Sequence, residues 1–106
     1  MDDLTIEPRE VAEMMKQKED FFLLDCREPW EHEVARIGGA TLIPMRQIPG
    51  GVDRIPQEKN IVVYCHGGTR SLNVASWLQQ QGYQARSMNG GIDRWSAEID
   101  PTMARY

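Results

Sequence analysis

The segment Ile61–Ser71, IVVYCHGGTRS, narrows the choice of fold for this chain more than any other segment does. Four residues that favour β-strands lead into Cys65, and a loop with two glycines follows. From Ser71 onward, apolar residues recur at helical spacing, which predicts a helix that ends near Gln81, before Gly82. A buried strand that turns through a short loop into a helix is the repeating unit of a parallel α/β sheet.

The rest of the chain shows the same alternation of strands and helices. Phe21–Leu24 is a continuous apolar run, too short for a helix and typical of a strand buried on both faces. The other predicted strands are Leu4–Ile6, Thr41–Ile43, Ile61–Tyr64 and Gln84–Met88. The predicted helices are Pro8–Gln17, Trp30–Ala35, Ser71–Gln81 and Ile92–Ala97, with helical turns at Met45–Ile48 and Val52–Ile55. This order predicts an α/β fold of three layers, in which helices cover both faces of a mainly parallel sheet of about five strands.

Length and composition indicate one ordinary globular domain. The 106 residues, 41% of them hydrophobic and 26% charged, suit a single domain over 1–106 with an irregular tail at 99–106. The net charge of −4 argues against a nucleic-acid partner, because proteins that bind nucleic acids usually carry a basic surface. No apolar run has the length of a membrane span, so no membrane partner is expected.

Cysteine usage and the acidic start of the chain predict a cytoplasmic protein. Met1, Asp2 and Asp3 do not resemble the start of a signal peptide. Cys26 and Cys65 are the only cysteines, and each follows a strand-like run, so a disulfide framework is not expected. The two histidines are isolated, and no cluster of cysteine and histidine has the spacing of a metal site. We therefore expect neither a metal nor another cofactor.

Cys65 lies where the central strand gives way to a loop and a helix. The first N–H groups of a helix have no internal partner, and the helix dipole places partial positive charge there. Gly67 and Gly68 allow the backbone to curl around a bound atom, and the guanidinium of Arg70 adds a full charge. Such surroundings favour the thiolate, which is the nucleophilic form of cysteine. We interpret Cys65 as a nucleophile; the alternative is a small buried apolar side chain.

A second polar segment, Asp25–Arg27, follows the strand at Phe21–Leu24. Ligands of parallel α/β sheets bind beyond the carboxyl ends of the strands, so this segment and the Cys65 loop are expected to flank one pocket. Asp25 and Arg27 are predicted to be a structural pair near the pocket. Asp25 is expected to accept hydrogen bonds from loop N–H groups, and Arg27 to pair with Glu31 or Glu33. Direct substrate binding by Arg27 is a secondary interpretation.

Four segments, in order, resemble the sequence boxes of single-domain rhodanese-like proteins over nearly the whole chain. These segments are Leu24–Glu31, Ile37–Ala40 with Pro44, Cys65–Ser71, and Gly90–Ile92 with Trp95. Two positions depart from the family pattern. Ala35-Arg36 stands where the family often has Gly-His, and Cys26 stands where it usually has an aliphatic residue.

The resemblance implies a rhodanese fold and sulfur transfer through a persulfide on Cys65. A small donor such as thiosulfate or another persulfide supplies the sulfur. Cyanide, a thiol or a sulfur-carrier protein accepts it. The residues implied to bind the terminal sulfur, chiefly through backbone N–H groups, are His66, Gly67, Gly68, Thr69, Arg70 and Ser71.

Several side chains at the predicted site have two interpretations. Arg70 either lowers the pKa of Cys65 and attracts an anionic donor, or fixes the loop through an ion pair with a carboxylate such as Glu31 or Glu33. Ser71 is predicted to cap the helix N-terminus, with hydrogen bonding to the thiolate as the alternative. His66 is placed at the pocket rim. Cys26 is either a small buried side chain or a resolving thiol.

Two other functions compete with sulfur transfer. The first is a protein-interaction module that docks a partner through Pro44–Pro56 and the tail 100–106. The second is a cysteine phosphatase, whose loop separates cysteine and arginine by five residues, usually with histidine before the cysteine. Here four residues separate Cys65 from Arg70, and Tyr64 precedes the cysteine. The shorter loop suits a sulfur atom better than a tetrahedral phosphate.

Overall fold

Five strands form a single parallel sheet at the centre of the molecule. The computed structural model describes residues 3–106; Met1 and Asp2, which the predicted domain includes, lie outside the described residues. The strands are β1 (Thr5–Ile6), β2 (Phe21–Asp25), β3 (Thr41–Leu42), β4 (Asn60–Tyr64) and β5 (Gln84–Met88). The helices are α1 (Pro8–Lys16), α2 (Pro29–Val34), α3 (Thr69–Gln80) and α4 (Gly91–Glu98), with short 3-10 helices at Met45–Gln47 and Pro49–Arg54.

The strand order β1-β5-β4-β2-β3 places β4 in the middle of the sheet. Successive side chains of a strand point to opposite faces, so β4 contributes to two separate cores. Val63 packs on one face with α3 and the 3-10 segments, whereas Val62 and Tyr64 pack on the other face with α1 and α4. This arrangement confirms the predicted three-layer α/β fold.

The predicted elements are all present, with ends shifted by at most two residues, except that the second 3-10 helix begins three residues before the predicted turn at Val52. Their periodic apolar patterns are enough to locate these elements, because each helix and most strands bury a defined face. The assignment of the whole chain to one domain stays a prediction. Within residues 3–106, no helix is long and apolar enough to cross a membrane.

Helix α3 differs from its prediction at its first turn. It begins at Thr69, after Gly68 at the N-cap position, so the predicted capping role of Ser71 is wrong. Ser71 instead lies inside the first turn and is buried with Val74, Ala75 and Leu78. Leu72, the next residue, is 40% exposed because the Ser71 side of the helix faces the sheet.

The tail beyond α4 has no regular secondary structure, as predicted, yet it is not detached. Met103 and Tyr106 pack against the core that contains Tyr64 and Trp95. The tail thereby reaches the carboxyl ends of the strands, where the loop after β4 lies.

Candidate active site

The loop after β4 points hydrogen-bond donors at the sulfur of Cys65. The N–H groups of Gly68 and Ser71 lie 3.1 and 3.3 Å from Sγ. The Ser71 hydroxyl oxygen lies 3.4 Å from the same atom. The residue is fully buried, so these donors replace water as the groups that solvate the sulfur.

The N-terminus of α4 holds this loop from the other side. The N–H groups of Ile92 and Asp93 donate to the carbonyl oxygens of Cys65 and His66 at 2.9 and 3.0 Å. Gly91 lies at this contact with φ +61°, and a Cβ there would stand 2.3 Å from the His66 oxygen. Because α4 takes up the carbonyl groups, the opposite edge of the loop presents N–H groups to the sulfur.

These contacts make Cys65 acidic for a thiol. The neighbouring Cys26 thiol is the largest cause, and burial opposes it. Together with the hydroxyl and N–H of Ser71 and the N–H of Gly68, it brings the pKa of Cys65 to about 5. Cys65 is therefore a thiolate at neutral pH, the form that attacks electrophiles.

Ser87 supports this arrangement and was not singled out from the sequence. Its hydroxyl oxygen lies 2.7 Å from that of Ser71, and it is 2% exposed on β5. When the Ser87 hydroxyl donates to Ser71, the Ser71 hydroxyl is free to donate to the Cys65 sulfur or to the Gly68 carbonyl oxygen, which lies 3.2 Å away. One serine among strand residues gives no sequence signal, because only the strand order brings it beside α3.

Arg70 forms a bidentate ion pair with Glu31 on α2. Its Nη1 and Nη2 donate to Oε1 and Oε2 of Glu31 at 2.7 and 3.0 Å. Burial favours the neutral carboxyl, but these bonds and the N–H of Glu28 lower the pKa of Glu31 to about 2. This pair is the predicted ion pair that fixes the loop. The leading causes of the low Cys65 pKa are Cys26, Ser71 and Gly68, not Arg70.

Asp25 and Arg27 form a buried pair with each other, as predicted, whereas the predicted pairing of Arg27 with Glu31 or Glu33 is wrong. Arg27 Nε and Nη2 donate to the Asp25 carboxylate at 2.9 and 2.8 Å, and both side chains are fully buried. The remaining groups around Asp25 are the backbone N–H of Arg27 at 3.0 Å, His32 Nδ1 at 2.8 Å and the Tyr64 hydroxyl at 3.2 Å. Asp25 is the register partner of Tyr64, so its side chain points to the sheet face opposite Cys65.

Direct substrate binding by Arg27 is not supported by this geometry. Nη1 donates to the Tyr106 hydroxyl at 2.7 Å, and Nη2 also donates to the Ala35 carbonyl at 2.6 Å. Burial raises the pKa of Asp25, yet hydrogen bonds from Arg27 and His32 outweigh it and keep that pKa low. The pair is a closed structural unit beside the loop.

Tyr106 joins this unit to the loop, and sequence reasoning missed it. Its hydroxyl donates to Glu31 Oε2 at 2.8 Å while accepting from Arg27. Its ring stacks on His66 at 4.2 Å between centroids and meets the edge of Trp30 at 5.6 Å. His66 is half-buried in this stack, in keeping with its predicted place at the rim. A single tyrosine in an irregular tail carries no periodic signal that reports such a contact.

An apolar groove lies beside the first turns of α3. Met45 and Leu72 are 39% and 40% exposed in this region. The groove is lined by Met45, Ile48, Pro49, Asn73, Val74 and Trp77. No group of three or more potential metal ligands occurs among the residues that the structure describes.

Comparison with known proteins gives one consistent family. The family described as "Rhodanese-like domain" matches residues 7–98. A sulfurtransferase of Allochromatium vinosum is 33% identical over 100 residues, which cover 93% of this chain and 94% of that protein. The probable adenylyltransferase/sulfurtransferase MoeZ of Mycobacterium tuberculosis is 33% identical over 105 residues, which cover 96% of this chain. The match spans only 27% of that longer relative.

A solved structure agrees with the sequence matches. The crystal structure of a rhodanese-related protein from Thermoplasma volcanium has a TM-score of 0.83 to this chain at 27% identity. The alignment covers 90% of this chain and 92% of that one.

Proposed function

This chain belongs to the rhodanese-like domain family, and from that premise we propose that it is a sulfurtransferase in which Cys65 carries the transferred sulfur. One observation carries the proposal. Two backbone N–H groups and a hydroxyl converge on a buried cysteine sulfur whose pKa is about 5. Relatives that are named sulfurtransferases support it.

The first half-reaction loads Cys65. The thiolate attacks the outer sulfur of thiosulfate, and a new sulfur–sulfur bond forms as the bond to the sulfite sulfur breaks. Sulfite leaves with the bonding electron pair, so the charge of the thiolate passes to the terminal sulfur of the persulfide. A persulfide donor reacts in the same way and releases a thiolate.

The loop is suited to stabilise that terminal sulfur. The N–H groups of Gly67, Thr69 and Arg70 donate to no protein acceptor among residues 3–106. At the start of a helix such donors favour an anion. We assign these N–H groups, together with those of His66, Gly68 and Ser71, to the persulfide anion, which gains charge during the transfer.

The second half-reaction returns Cys65 to its starting state. A nucleophile attacks the terminal sulfur, and the Cys65 thiolate leaves; its low pKa makes it a good leaving group. Cyanide serves in an assay and gives thiocyanate, and a thiol or a sulfur-carrier protein serves in the cell. The apolar groove beside α3, with Met45 exposed in its lining, favours a protein as the acceptor.

Steady-state turnover tests this proposal. We expect wild type to form thiocyanate from thiosulfate and cyanide, and Cys65→Ser to fall to the uncatalysed rate. A phosphotyrosine mimic should not be hydrolysed by either protein. Hydrolysis of that mimic without sulfur transfer would replace the proposal with a phosphatase.

A further inference from the structure

Cys26 and Cys65 are neighbours across the two central strands. Asp25 of β2 pairs in register with Tyr64 of β4. Cys26 and Cys65 are the residues that directly follow these two strand ends. The N–H of Cys26 donates to the Tyr64 carbonyl at 3.1 Å, which continues the ladder to this position. Neighbouring strands lie about 4.8 Å apart. That spacing lies within the range of about 4.4–6.8 Å between Cα atoms that disulfides span.

The two side chains also point to the same face of the sheet. Leu24 and Cys26 on one strand, and Val63 and Cys65 on the other, belong to one core cluster. The intervening residues face the opposite core. Neither cysteine is in a disulfide, and both are at most 1% exposed. Cys26 approaches the Cys65 sulfur from β2, whereas the loop donors approach it from α3.

We propose that Cys26 is a resolving thiol that displaces hydrosulfide from the Cys65 persulfide and leaves a Cys26–Cys65 disulfide. This inference rests on the proposed function, because the persulfide is its substrate. It adds a reductive outcome, sulfide release, to transfer of sulfur to an acceptor.

The reaction balances without an external oxidant. The Cys26 sulfur attacks the inner sulfur of the persulfide, and a bond between Cys26 Sγ and Cys65 Sγ forms. The bond from Cys65 Sγ to the terminal sulfur breaks, and that sulfur leaves with the electron pair. The proton of the Cys26 thiol leaves with it, as HS⁻. The terminal sulfur is reduced and the two cysteines are oxidised. A dithiol then restores both thiols by exchange.

The same contact keeps Cys26 inactive until sulfur is loaded. The Cys26 thiol donates to the Tyr64 carbonyl at 3.5 Å, and interaction with Cys65 is the largest cause that raises its pKa, followed by burial and by the negative charge of Cys65. In the persulfide that charge has moved from Cys65 Sγ to the terminal sulfur within the loop. Both effects of Cys65 are then weakened, so Cys26 becomes a better nucleophile only when its target is present.

A single-turnover experiment tests the inference. Reduced protein, freed of reductant, is treated at pH 8 with one equivalent of thiosulfate, and intact mass and free sulfide are followed with time. In wild type we expect a transient gain of about 32 Da, then a final mass about 2 Da below the reduced protein. About one equivalent of sulfide should appear with it. Trypsin should give the peptides Glu19–Arg27 and Asn60–Arg70 joined by a disulfide.

Three variants complete the experiment. Cys26→Ala and Cys26→Val should load more slowly, because Cys26 lowers the pKa of Cys65. They should still reach the same gain in mass and then hold the persulfide at least about tenfold longer, with no sulfide release. Ile43→Val, which loosens the same core and keeps both thiols, should behave as wild type.

Equal persulfide lifetimes in wild type and the Cys26 variants would overturn the inference and leave the proposed function standing. A longer lifetime in Ile43→Val would also overturn it, because packing would then be the cause. Absence of any mass gain in all four proteins, with thiosulfate and also with a persulfide donor, would refute the proposed function itself, and the inference with it.

Discussion

The ends of β4 and β2 are adjacent in one sheet, yet they differ in how their polar groups are satisfied. After β4, hydrogen-bond donors converge on the sulfur of Cys65, and several loop N–H groups have no protein acceptor among residues 3–106. After β2, the polar groups of Asp25 and Arg27 form hydrogen bonds with each other and with neighbouring residues. The comparison shows that a position at the carboxyl edge of a sheet does not by itself make a binding site. A binding site also needs hydrogen-bond donors that no protein acceptor has taken up.

Arg27→Ala should have the largest effect on the structural side of this comparison. It leaves the Asp25 carboxylate buried without its main partner, and the free energy of unfolding should fall by about 3–5 kcal/mol. Urea denaturation measures it. Arg86→Ala, which breaks a partly exposed pair with Asp3, should cost less than about 1 kcal/mol. A small effect of Arg27→Ala would mean that the unit beside the loop is not structural.

Gly91→Ala should act on the loop side. The added methyl would stand 2.3 Å from the His66 oxygen, and alanine is strained at φ +61°. We expect a loss of about 2 kcal/mol in stability and a rise of the Cys65 pKa from about 5 toward its ordinary 9.0, because the loop must move. The pH dependence of alkylation by iodoacetamide reports that pKa. Gly38→Ala, with open space around its Cβ, is the matched control. An unchanged pKa in Gly91→Ala would show that α4 does not hold the loop.

The ion pair between Glu31 and Arg70 links the two regions and gives a pH signature. The pKa of Glu31 is lowered in the folded state from 4.5 to about 2. Its contribution is therefore fully present above pH 4.5 and is lost as the pH falls toward 2. In Glu31→Gln we expect the stability at pH 6 to drop by about 2 kcal/mol and its slope between pH 4.5 and 2 to become shallower. Exposed Glu33→Gln should keep the wild-type slope.

Tyr106→Phe should produce the smallest loss of stability, and it tests whether the two strand ends are independent of each other. It removes a hydroxyl that binds Arg27 and Glu31 but leaves the ring on His66. We expect a loss of about 1 kcal/mol in thermal or urea unfolding, with the pKa of Cys65 unchanged. A shift of the alkylation pKa in this variant would show that the two strand ends are coupled through the tail.

The fold was predictable because its information is periodic. Apolar runs at Phe21–Leu24 and Ile61–Tyr64 and the spacing of α3 report burial directly, and the confirmed three-layer fold follows from their order. Cys65 stood out for the same local reason, since strand, glycine loop and helix follow each other in the chain. The family resemblance added the chemistry.

The polar partners were not predictable because they depend on which strands are neighbours and on side-chain direction. Asp25 faces away from Cys65 by strand alternation, so the loop N–H group that donates to it is that of Arg27 in its own loop and not one from the Cys65 loop. Ser87 and Tyr106 reach the site from β5 and from the tail. Ser71 looked like a cap because its hydroxyl suits one, whereas the helix begins two residues earlier.

The measurement that tests the central claim most directly is the intact mass of the protein seconds after it meets thiosulfate. Wild type should gain about 32 Da on the peptide Asn60–Arg70, cyanide should remove the gain, and Cys65→Ser should show none. If wild type takes up no sulfur from thiosulfate or from a persulfide donor, Cys65 is not a sulfur carrier, and the account of this site is wrong.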